Sequence, residues 1–184
     1  SGSAPPAPRD AAPTATRQPA PPPTATADGY HFEVAGLHFN APGTWVSEPP
    51  NSSMRVAQFQ IPSPADSPLE NGEVAFFYFG RGGGGDVASN LDRWSKQVIG
   101  SGGEPAPIDP EVVDRAGLRI TTVVMEGTYQ SGMPGTPPTP KPDWMFVGGI
   151  VEGGPEGAIF IRVAGPVEVI GPIRDEAISM IRSA

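Results

Sequence analysis

The residues that could carry chemistry in this chain are few. Two histidines, His31 and His38, stand either side of Glu33 in the run YHFEVAGLHF. That run reads as two short strands about an Ala35-Gly36 turn, which sets Val34 opposite Leu37 and Glu33 opposite His38. Two imidazoles and a carboxylate are a conceivable metal site, so His31, Glu33 and His38 are the candidate ligands. With two His, no Cys and no HExxH spacing, a catalytic zinc has little support. The bland alternative is a solvated, pairing role.

The run Gly80-Arg81-Gly82-Gly83-Gly84-Gly85 satisfies GxGxxG between a strand and a helix, the context of a dinucleotide site. Five glycines in six positions make such a match nearly automatic. Asp86 would place a carboxylate at the helix N-terminus, where a pyrophosphate would have to bind. The chain beyond the helix is Pro-rich and leads into a hairpin, not a parallel return strand, and no Gly-Lys-Ser/Thr follows. A flexible strand-to-helix connection is the favoured reading.

No GxSxG elbow is present, and Ser101 lies in a helix-terminating loop. Asp66, Glu70 and Glu73 surround one loop, and Glu152 and Glu156 one hairpin turn. Paired acids can run hydrolysis or hold Ca²⁺, but these follow the spacing of solvated turns. The expectation is a protein that is not an enzyme and uses no cofactor. The segment singled out for binding is the Pro-rich stretch 130–143 before Trp144, with Met133 and Trp144 as the expected contact residues. Long irregular loops in compact domains are uncommon and often functional, and prolines lower the entropy cost of holding one shape. Its bland reading is an inter-strand connection too rich in proline for a strand or helix interior.

The elements that must position these residues follow from periodicity. In Met54–Ile61, Ala57, Phe59 and Ile61 alternate with Gln58 and Gln60, a strand with one buried face. Glu73–Phe79 is apolar on both sides and reads as an inner strand covered twice. Asp86 is a good N-cap, and Val87, Leu91, Trp94 and Val98 form one stripe of an amphipathic helix. Glu111–Asp114 and Leu118–Tyr129 read as a hairpin turning on Arg115-Ala116-Gly117. Trp144–Glu152 and Ala158–Ala164 form another, with Phe146, Ile150, Ile159, Ile161 and Val163 among its inner positions. Ile170, Ile173, Ala177 and Ile181 mark a terminal helix, with Pro172 suited to its first turn. Strands arriving as hairpins with two helices imply an α+β fold, an antiparallel sheet with helices packed on it.

Of the first 28 residues, eight are Pro, eight Ala and four Thr, and no aromatic occurs before Tyr30. Such a segment has little side-chain surface to offset its ordering entropy. The expected organisation is a disordered tether over 1–28 and one domain over 29–184. In the tether Arg9 and Arg17 cancel Asp10 and Asp28, so the formal charge of −8 belongs to the domain. An acidic domain argues against binding nucleic acid or an anionic membrane. Without cysteine, disulfides, thiolate zinc sites and cysteine nucleophiles are excluded. No stretch approaches the ~20 apolar residues of a membrane span, and the residues themselves do not read as a signal peptide.

Several segments taken together resemble a known family: GLHFNAPGTW, MRVAQFQIP, FFYFGRGGGGDVASNLDRW, GLRITTVVMEGTY and IFIRVAGPVEVIGPIRDEAISMI. They are similar to small, uncharacterised bacterial exported lipoproteins with a fold like PsbP, the extrinsic protein of photosystem II. The resemblance spans about residues 36–182. It implies a twisted antiparallel β-sheet flanked by helices, a PsbP-like α/β/α sandwich, and a last helix running unbroken from near Gly165-Pro166. Pro172 departs from that pattern. Ser1-Gly2-Ser3 followed by a Pro/Ala tether also resembles a lipoprotein cut just after its lipidated cysteine, the bland alternative being an expression scar on a truncated protein. The expectation is an exported protein, periplasmic or anchored to the outer membrane through its N-terminus. It would be a non-catalytic accessory or binding module of the cell envelope with an envelope protein as partner. A small-ligand or metal-binding periplasmic protein is the alternative.

Overall fold

Two turns set the tightest hairpins. Ala35-Gly36 and Ala116-Gly117 each carry two consecutive positive φ angles, 48° and 78° in the first and 50° and 81° in the second. That geometry matches the right-handed twist of the strands it joins. A computed structural model describes residues 21–132 and 135–184. The first turn joins β2 (Gly29–Val34) to β3 (Leu37–Ala41) in the register expected, Val34 opposite Leu37 and Glu33 opposite His38. β1 (Thr24–Thr26) pairs with β2 to complete a three-stranded sheet. The domain boundary at residue 29 is therefore corrected: Thr24–Thr26 belong to the folded part, held by backbone pairing that composition does not register.

The second sheet runs β4 (Val46–Glu48), β5 (Arg55–Ile61), β6 (Gly72–Phe77), β11 (Ile159–Pro166), β10 (Thr139–Glu152), β9 (Leu118–Ser131) and β7 (Val98–Ile99), all antiparallel. β8 (Glu111–Arg115) shares the outer edge of β9 with β7. Helix α1 (Val87–Gln97) connects β6 to β7. The fold is thus mixed α+β, dominated by antiparallel sheet.

Side chains alternate across this sheet into two cores. On one face Phe59, Val74, Phe76, Val147 and Ile161 pack with Phe32 and Phe39 of the small sheet and with Ala177, Met180 and Ile181. On the other, Val123, Met125, Phe146, Ile150 and Phe160 pack under Leu91, Trp94 and Val98. The hairpin residues expected inside thus divide between the faces: Phe146 and Ile150 point one way, Ile159, Ile161 and Val163 the other. β10 is buried on both sides, and adjacent glycines let a helix approach each side. A Cβ on Gly148 would lie 2.5 Å from the Trp94 ring, and one on Gly149 would lie 2.6 Å from Ile181. The terminal helix and α1 therefore sit on opposite faces.

Helix α1 begins as expected. Asp86 accepts from the Ser89 backbone N–H at 2.7 Å and from its hydroxyl at 3.0 Å. These bonds, the backbone one first, hold the Asp86 carboxyl below the usual aspartate value. A carboxyl lowered in the folded state adds stability above its unfolded pKa and loses that contribution as pH falls through the folded one. Asp86→Ala is accordingly expected to be less stable than wild type in urea at neutral pH, with the gap closing in strong acid. A gap independent of pH would contradict the charged cap.

The terminal helix has two parts. α2 (Val167–Ile170) starts directly after Pro166, a 3₁₀ turn spans Gly171–Ile173, and α3 (Arg174–Ile181) follows. The helix read from Ile170, with Pro172 in its first turn, starts earlier, at Val167, and the unbroken helix that the resemblance implies is corrected to one interrupted at Gly171-Pro172. Proline lacks the N–H that would continue the ladder, which accounts for the interruption.

Candidate functional site

β9 and β10 run past the point where β11 ends. The last β10–β11 pair is Trp144 with Pro166, whereas β10 continues against β9 through Lys141–Tyr129, Pro140–Gln130 and Thr139–Ser131. Much of the segment expected to be a loop is therefore a two-stranded arm, and that expectation is corrected. Beyond Trp144 only one edge of β10 is paired, so Pro140 and Pro142 can lie in the strand without their missing N–H groups breaking a ladder. A register shift between Lys141 and Trp144, with Asp143 at φ 56°, re-aims the strand there.

At the base of the arm Trp144 stacks on Tyr129, the ring centroids 5.4 Å apart and the planes 4° from parallel. The Lys141 ammonium lies 5.0 Å from the Trp144 ring centroid. It also donates to both Glu70 carboxylate oxygens at 2.6 and 2.7 Å. Lys141 thus ties the arm to the β5–β6 loop. Beside this cluster opens a cleft of about 740 Å³ between that loop, the arm and the start of α2. Pro68, Pro140, Pro142 and Trp144 give it flat apolar walls, and Glu126, Asp143 and Glu168 line it too. Among the described residues none of these three acids has an ion-pair partner. With Lys141 matched to Glu70, the lining carries about three uncompensated negative charges. Flat rings, prolines and acids suit an extended or cationic segment; they do not assemble a nucleophile beside a base.

Of the two expected contact residues, Trp144 borders this cleft and Met133 lies outside the described residues. Lys141, Tyr129 and Glu70 were not foreseen as contacts. Their grouping depends on Tyr129 lying opposite Lys141, a register hidden by the five prolines between Ser131 and Asp143.

His31, Glu33 and His38 share the exposed face of the small sheet. Glu33 and His38 come within 3.9 Å, while the His31 Nδ1 meets the Asn40 Oδ1 across the hairpin. Among the described residues no three His, Asp or Glu side chains are grouped closely enough to hold a metal ion. The hairpin brings the three side chains onto one face as read, but it divides them between a His–Asn and a Glu–His pair.

Within the glycine run, close packing fixes Gly84. Gly84, at φ 90°, lies over Phe160 so closely that a Cβ would stand 2.3 Å from the ring. The buried Asn90 amide donates to the Gly84 carbonyl at 2.8 Å and the Asp86 carbonyl at 2.9 Å, fixing the loop to α1. The helix N-terminus is filled by Asp86 itself. Among the described residues no helix is long and apolar enough to cross a membrane. No family model and no curated protein matches the chain.

Proposed function

We propose that the protein is a non-catalytic accessory or binding module of the bacterial cell envelope, and that the Trp144 cleft is where its partner docks. The observation that carries this reading is the cleft itself. A projecting arm places a stacked Trp144–Tyr129 pair, four prolines and uncompensated acids around about 740 Å³ of open space. The partner is an envelope protein presenting an extended segment. The segment ahead of Thr24 serves as the tether, and the resemblance to PsbP-like exported lipoproteins supplies the compartment, periplasmic or outer-membrane-anchored. The negative net charge supports a protein partner over nucleic acid.

The test is crosslinking pull-down from envelope extracts with the full chain, Trp144→Ala, and a variant lacking 132–138. Trp144→Ala is expected to weaken the recovered complex about 30-fold, the loss of a hot-spot aromatic worth about 2 kcal/mol. Undiminished binding by both variants, with unfolding curves like wild type, would place the interface elsewhere.

A further inference from the structure

Helix α1 leaves part of its sheet face uncovered, and that part is cationic and aromatic in an otherwise acidic protein. The guanidiniums of Arg55 and Arg162 lie 5.6 and 5.2 Å from the Phe77 ring centroid. They cover Phe77 on the second side of β6 beside the apolar cluster under α1. Glu73 stands 3.0 Å from Arg55 and 4.0 Å from Arg162, so Arg55 is its closer partner and Arg162 keeps most of its charge available. Phe79 stacks on Phe77, planes 8° apart, and is 40% exposed.

Between these rings and α1 lies a cavity of about 110 Å³ whose lining includes Phe79, Phe160, Arg93, Arg162 and Gln97. At about 30 Å³ per water it has room for roughly three or four waters, too little for a nucleotide. Its polar groups are incompletely used. Arg162 makes no hydrogen bond among the described residues, and Arg93 gives one N–H to Asn90 Oδ1. A guanidinium carries five N–H donors in a planar fork suited to a carboxylate. The cavity therefore offers unused guanidinium donors for an anion, with an exposed ring at its mouth.

We propose that this cavity binds the carboxylate end of an aromatic residue. The carboxylate meets Arg93 and Arg162, and the aromatic ring lies on Phe79. This chemistry is shared by a free N-acyl aromatic amino acid and by a protein C-terminus ending in Phe. The site is built from residues other than those of the Trp144 cleft and does not rest on that reading.

The test is an NMR titration of the full chain with N-acetylphenylalanine and, separately, N-acetylphenylalaninamide. The acid is expected to shift the Phe79, Gly84 and Gln97 resonances saturably in the millimolar range, and the amide to bind at least about tenfold more weakly. Arg162→Gln and the exposed-helix variant Arg93→Gln should each weaken the acid by about tenfold, while Trp144→Ala leaves it unchanged. A peptide ending in Gly-Phe that binds more tightly than the free acid identifies a protein C-terminus as the source; equal binding identifies a free small molecule. No saturable shift, equal binding of acid and amide, or full affinity in both arginine variants would overturn the proposal.

Discussion

Replacing Phe76 by alanine is expected to cost about 3–5 kcal/mol of unfolding free energy, the range for removing a buried aromatic from a core. Phe76 is fully buried on the inner strand β6 and meets the small sheet edge-on, with centroids 5.2 Å from Phe32 and 5.1 Å from Phe39. These contacts dock the hairpin that carries His31 and His38 onto the main sheet. Phe76 sits on a strand paired on both sides, which limits collapse of the cavity left behind. Against a total stability of about 5–15 kcal/mol, this loss removes a large share. Urea unfolding checks it, and a double-mutant cycle with Phe32→Ala should return a coupling of about 0.5–1.5 kcal/mol for the edge-to-face pair. A loss below about 1 kcal/mol would mean that the two sheets do not share this core.

Adding one methyl group at either central glycine of β10 is expected to destabilise by about 1–3 kcal/mol. The Gly148→Ala Cβ would fall 2.5 Å from Trp94 and the Gly149→Ala Cβ 2.6 Å from Ile181. Both neighbours sit on packed helices, so relief requires α1 or α3 to move. Because the two residues face opposite ways, their remedies differ. Trp94→Leu should recover part of the Gly148→Ala loss and none of the Gly149→Ala loss; Ile181→Ala should do the reverse. If either second-site change relieved both variants equally, the two helices would not occupy opposite faces.

What could be read from the sequence was local chemistry. Ala35-Gly36 and Ala116-Gly117 announced their hairpins, Asp86 its cap, and the Val87–Val98 stripe its helix, because each signal lies within a few residues. The face assignment of the Trp144–Ala164 hairpin was not legible. A strand buried on both sides shows no alternation, so Phe146 and Ile161 looked equivalent. Thr24–Thr26 were hidden for another reason: their composition matches the preceding Pro/Ala/Thr segment, and only pairing with β2 distinguishes them. The candidate site was half visible. Trp144 stood out beside the prolines, but Lys141 and Glu70 meet through a register and a loop closure across 71 residues. The arginine cavity gave no sequence signal, since Arg93, Gln97 and Arg162 are brought together only when α1 lies beside β11.

The central claim is that the Trp144 cleft is the docking surface. Its most direct test is a photocrosslinking residue placed at Glu168, on the cleft wall, and separately at exposed Val46 on the edge strand β4. With the full chain in intact envelopes, Glu168 is expected to give one dominant adduct that disappears in the Trp144→Ala background, and Val46 none of the same mass. An adduct from Glu168 that persists without Trp144, or the same adduct from both positions, would contradict the assignment.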